Sequence, residues 1–143
     1  MYESHYQALE RALARVEEKV GLQALSERFF ALFFALYPQT LGYFSTTHIP
    51  SFAPRKYRAI TAFLVDTVKH PDFAEGALTD EVRRHIIFGL VDKQHYFALI
   101  DTLEVLMREV LDDEWTPELQ EYWEDVSQAM KGIITQAATH LFN

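Results

Sequence analysis

Apolar positions along this chain recur at three- and four-residue intervals, in successive stretches broken by polar, Gly or Pro residues. From Ser4 to Val20 the spacing of Tyr6, Leu9, Leu13, Val16 and Val20 predicts an amphipathic helix that ends at Gly21. A second helix runs from Leu22 to Tyr37, with Leu25, Phe29, Phe30, Phe33, Phe34 and Tyr37 on one broad face. Pro38 opens a short helical turn that closes with Leu41, Tyr43 and Phe44, and Ser45 to Pro54 reads as a loop. Tyr57, Ile60, Phe63, Leu64 and Val68 mark a helix from about Arg55 to His70. Pro71 and Gly76 then predict a break before a shorter helix, Thr79 to about Phe88, that carries Val82, His85 and Ile86 and ends at Gly89.

The clearest stripe, Tyr96, Leu99, Ile100, Leu103, Leu106, Met107 and Val110, places a helix over Asp92 to Leu111. Thr116-Pro117 has the chemistry of an N-cap followed by a first helical residue. It opens a last helix through Leu141 along Leu119, Tyr122, Trp123, Val126, Met130, Ile133, Ile134 and Ala137. No stretch alternates with period two, so the expected class is all-α. With 143 residues the chain is read as a single domain over 1–143.

Charge narrows the partners. A net charge of −8 leaves no concentrated basic surface for nucleic acid or an anionic membrane, the basic runs being only Arg55-Lys56 and Arg83-Arg84. Cysteine is absent, so metal chemistry falls to His and carboxylates. The longest apolar run, Phe29 to Tyr37, is too short to span a bilayer, and the N-terminus has no signal-peptide pattern, which makes a cytoplasmic location the expectation. Most acids, such as Glu17-Glu18 and Asp112-Asp113-Glu114, fall on polar faces or helix ends rather than in a catalytic pair.

Three ordered blocks carry a family resemblance. Arg28-Phe29-Phe30-Ala31-Leu32-Phe33-Phe34-Ala35-Leu36-Tyr37-Pro38, followed by Phe44, resembles the B and C helices of bacterial globins. Arg83-Arg84-His85, then Gly89-Leu90-Val91-Asp92 and His95-Tyr96, resembles their F helix and the corner after it. Leu106 to Trp123, with Glu114-Trp115-Thr116-Pro117-Glu118-Leu119, resembles the G–H connection of single-domain haemoglobins and the globin domain of flavohaemoglobins. The likeness spans roughly residues 22 to 140. Between Phe44 and Ile60 it is poor, and the interval from His85 to Tyr96 is one residue longer than the family pattern.

The resemblance implies a globin fold, a 3-over-3 sandwich of about seven helices with haem b in a core crevice. It implies that His85 is the proximal iron ligand, for which a neutral imidazole on a rigid helix is suited. Phe44 is then the ring packed on the porphyrin, and Phe34, Val82 and Val91 belong to the expected lining. Tyr96 corresponds to a tyrosine beside the proximal His that shares a network with a Glu of the last helix. Here the Glu position falls at or near His140. Tyr96 is read equally as a core residue.

On the distal side Phe30 stands where related globins carry Tyr, and ungapped counting puts Ala53 or Pro54 in the place of a distal Gln or His. The same counting turns Tyr57 toward the ligand, although a plain core tyrosine is an equal reading. A register shifted by one or two brings Phe52 and Lys56 inward instead, and the cost of an unpartnered buried Lys favours Tyr57. His48 is a candidate propionate contact or sixth iron ligand, and His95 another propionate contact. The implied function is binding of O2, CO or NO in a mainly apolar pocket, with gas sensing or NO or peroxide chemistry as extensions that need a separate reductase. The expected assembly is a monomer or homodimer. The rival readings are a haem-free globin-fold sensor or interaction module, and an unrelated helical bundle.

Overall fold

The computed structural model describes the backbone of residues 2–87 and 93–142 and the side chains of residues 6–85 and 93–139. Among the described residues every regular element is helical: α1 Tyr2–Val20, α2 Leu22–Leu36, α3 Ile49–Lys69, α4 Pro71–Ile87, α5 Lys93–Leu111 and α6 Pro117–Phe142. Two short 3-10 segments, Pro38–Phe44 and Asp112–Glu114, join them. The expected C-terminal glycine of α4, Gly89, and the expected lining residue Val91 lie outside the described residues.

Local chemistry explains most boundaries. Gly21 separates α1 from α2 with φ +90, a conformation in which a side chain is strained. Pro38 cannot continue α2 and starts the 3-10 segment. Thr116 caps α6 as its sequence predicts: its hydroxyl accepts the Leu119 N–H at 3.1 Å, with Pro117 as first helical residue.

Two boundaries differ from the sequence expectation. The segment read as a loop to Pro54 is helical from Ile49, with Pro54 inside α3. Pro54 has no N–H to offer the Pro50 carbonyl one turn back, and the Gln23 side-chain amide of α2 donates to that carbonyl at 2.8 Å instead. The break expected at Pro71 and Gly76 is also absent, and α4 starts at Pro71 itself. Proline suits a first helical position, and Ala74 N–H closes the first turn on the His70 carbonyl at 2.9 Å. Gly76 is exposed in the middle of that helix, and a Cβ there meets nothing within 4 Å. Gly76→Ala should therefore raise stability by about 0.5–1 kcal/mol in urea unfolding, by lowering the entropy lost on folding without a clash.

Helices α1, α3 and α4 form one layer and α2, α5 and α6 the other, with α2 crossing α3, α4 crossing α6 and α1 crossing α5. This is the all-α globin arrangement. Leu9, Val16, Leu25, Phe29, Leu64, Leu103, Leu106, Met107 and Trp123 fill the space between the layers. Burial of such side chains, at about 1.5–3 kcal/mol each, is the main term opposing chain entropy. The layers leave α3 and α4 facing each other across a gap that the core does not fill, and the candidate site lies there.

Candidate functional site

Helix α4 presents His85 to this gap because Val82, three residues earlier, anchors the helix in the core at 2 % exposure. The His85 Nδ1 lies 2.8 Å from the backbone carbonyl of Glu81, one turn back. A carbonyl only accepts, so Nδ1 carries a proton, and in the neutral ring Nε2 is the nitrogen with the lone pair. The imidazole is thus fixed in orientation and in the tautomer a metal requires. The ring of Tyr96 from α5 meets it edge-on at 5.7 Å.

The cleft in front of His85 has a volume of about 390 Å³, within the range of small-molecule and cofactor sites. Its apolar walls are Phe33, Phe44, Phe52 and Leu99, and its polar lining includes Lys56, Glu81, Tyr43, His95 and Tyr96. Phe44 comes in from the 3-10 segment and is braced by Phe34 at 5.3 Å, Phe52 at 5.6 Å and Phe30 at 5.7 Å. Phe30 is fully buried behind Phe44 and Phe52 and does not line the cleft. At the rim the Tyr43 hydroxyl lies 2.8 Å from His95 Nδ1.

The distal register differs from the favoured expectation. Ala53 and Tyr57, at 0 % and 2 % exposure, turn into the packed core, and it is Phe52 and Lys56 that face the cleft. Tyr57 instead sets its ring edge-on to Phe29 at 5.8 Å. An inward Lys56 needs a partner for its charge. Glu81 of α4 is that partner, with its Oε1 3.5 Å from Lys56 Nζ. The same Oε1 lies 3.3 Å from His85 Nδ1, and Arg84 pairs with the other carboxylate oxygen. Glu81 was not singled out from sequence, although its position four residues before His85 puts both on one helix face. His48 is exposed at the start of α3, its Nδ1 2.7 Å from Ser51 Oγ, and it does not line the cleft. Val82 faces a smaller apolar cavity of about 40 Å³ beyond Lys56 and Glu81, with Met130 and Ile134. The side chain of His140 lies outside the described residues.

Tyr57 Oη and Tyr96 Oη are buried with no hydrogen-bond partner among the described residues. Burial pushes both above the ordinary value of 10. At Tyr96 the charges of Glu81 and Tyr43 add to this, and at Tyr57 the charge of Glu17 adds while Arg58 opposes. Tyr57→Phe removes an unsatisfied hydroxyl and keeps the ring, so stability at pH 7 should rise by about 1 kcal/mol. Burial raises the phenol in the folded state, so its effect on stability is constant below about pH 10, and stability falls as pH climbs further and the unfolded chain ionises first. The variant should lose less stability than wild type between pH 9 and 11, as read by urea unfolding.

The donor set fits a metal held within an organic ring. Among the described residues no three His, Cys, Asp or Glu side chains are grouped to hold a bare ion. One imidazole with a free Nε2, facing a slab of phenylalanines, suits a flat apolar macrocycle that brings its own remaining ligands. Among the described residues no helix is long and apolar enough to cross a membrane.

The fold and the cleft define an all-helical protein with a phenylalanine-walled crevice between two facing helices, one of which offers an oriented histidine. The family model for globins matches residues 27–134, well over half of the sequence, and the chain belongs to the globin family. That span contains Phe44, Lys56, His85 and Tyr96. No curated protein matches the chain.

Proposed function

We propose that this globin binds one haem b in the α3–α4 cleft through His85 Nε2 and takes up diatomic gases, O2, CO or NO, at the iron. The observation that carries this reading is the hydrogen bond from His85 Nδ1 to the Glu81 carbonyl, which leaves Nε2 as the only free nitrogen of that ring. Bound haem would supply an iron that holds a gas molecule on the side away from the imidazole. His85 would fix the iron at one height in the cleft. Phe44, Phe33 and Phe52 would cover the macrocycle and keep water out. Phe33, Phe44 and Phe52 offer a polarised ligand no hydrogen bond, so a donor to bound O2 would have to come from Lys56, while CO binding depends little on one. NO dioxygenase- or peroxidase-like turnover would draw electrons from a separate reductase.

One observation favours a second reading, a haem-free sensor or interaction module. The Lys56–Glu81 pair already bridges the cleft and satisfies both charges without a cofactor. Reduction of the loaded protein under CO separates the two. The haem reading predicts a saturable shift of the Soret band and one CO per chain. A protein that shows no haem-dependent spectrum at all belongs to the second reading.

A further inference from the structure

We propose that Lys56 is the axial residue opposite His85, its amine ligating the iron of the ferric, gas-free protein; the inference rests on the haem reading above. Lys56 lines the cleft from α3 and bridges it to Glu81 of α4, the helix that carries His85. Glu81 Oε1 is 3.5 Å from Lys56 Nζ and 3.3 Å from His85 Nδ1. The Lys56 stem therefore already spans the space a flat group would enter. Among the described cleft residues α3 otherwise contributes only Phe52, so Lys56 is its single nitrogen there. His95, the other cleft nitrogen base besides His85, has Nδ1 engaged with the Tyr43 hydroxyl.

A macrocycle seated on His85 comes between Lys56 and Glu81 and ends their pairing. The ammonium would then stand unpaired among phenylalanines, which is costly. Two outcomes relieve it: the chain swings to a carboxylate at the rim, or the amine gives its proton to water and its lone pair to the iron, displacing a coordinated water. The stem favours the second. Lys56 also borders the inner apolar cavity beside Ile60, Met130 and Ile134, and its side chain is only 21 % exposed. Metal binding requires the deprotonated base, and the iron takes the place of the lost proton.

The test compares wild type, Lys56→Met and Lys56→Arg, each loaded with haemin, by ferric absorption and electron paramagnetic resonance, with circular dichroism to confirm folding. Arginine retains the charge but cannot lose its proton to become a ligand. The proposal predicts a low-spin, six-coordinate wild type and high-spin, water-ligated spectra for both variants, with haemin affinity changed by the same factor in both. A high-spin wild type overturns it, as does a low-spin signal that persists in both variants. It is also overturned if Lys56→Met loses affinity about tenfold or more and Lys56→Arg restores it with the spin state unchanged, because Lys56 then holds a carboxylate. Wild type that takes up no haemin defeats the haem reading itself, whereas uptake in a high-spin state defeats only the role of Lys56.

Discussion

His85→Gly should weaken haemin binding by more than about 100-fold, and millimolar imidazole should restore much of the wild-type spectrum. Loss of a contact that merely supports a metal-bound histidine costs about 10- to 100-fold, so loss of the ligand itself should exceed that. The substitution is expected to leave the fold standing. The His85 side chain is 32 % exposed and its only described hydrogen bond is to its own helix. A glycine inside α4 costs roughly 1 kcal/mol of stability, which circular dichroism against temperature would register as a small shift. Rescue by free imidazole separates a lost ligand from a damaged cleft, since a collapsed cleft would accept neither molecule. Equal haemin affinity in wild type and variant would remove His85 from the site.

The largest expected loss of stability comes from Phe29→Ala. Phe29 is fully buried where α2 meets α3, edge-on to Phe30 at 5.1 Å and to Tyr57 at 5.8 Å, and stacked on Phe33 at 6.5 Å. Truncation removes its transfer free energy and leaves a void between two helices that hold each other in place, a cost of about 3–5 kcal/mol. Domains of this size have only about 5–15 kcal/mol in total, so a fall in Tm of about 10 °C or more is expected. Phe73→Ala is the control. Phe73 is 63 % exposed on α4, and its truncation should change stability by less than about 0.5 kcal/mol. Equal effects of the two substitutions in urea unfolding would contradict the packing described for α2 and α3. Phe29→Ala should also loosen the cleft indirectly, because Phe30 and Phe33 brace Phe44.

The helices were readable from sequence wherever local signals agreed. Thr116-Pro117 predicted the start of α6 because a cap and a first-turn proline act within four residues. Gly21 and Pro38 likewise set the ends of α1 and α2 by their own backbone chemistry. The misread boundaries depend on distant partners. Pro54 signals a loop until Gln23, 31 positions earlier, is seen to supply the hydrogen bond that proline lacks. Pro71 signals a break on sequence alone because a helix-initiating and a helix-ending proline look alike when the flanking stripe is weak.

The same division runs through the site. His85 and Phe44 were found from the pattern of blocks around them, and the structure brings both to one cleft. The α3 side was missed by one residue, which on a helix is a rotation of about 100° and exchanges a cleft-facing side chain for a core one. On sequence alone, the cost of burying a lone ammonium favours Tyr57 over Lys56. That cost is real, but Glu81 sits on another helix, 25 positions away, and nothing local to Lys56 announces it. Charge pairing across a fold is set by tertiary geometry, so sequence spacing carries little trace of it.

The most direct measurement is an equilibrium titration of haemin into the cofactor-free protein, followed at the Soret band. One oriented imidazole on one cleft predicts a single saturable transition that ends at one haemin per chain, with the equivalence point absent in His85→Gly. A weak, non-saturating absorbance rise, the same in wild type and variant, would contradict the haem site.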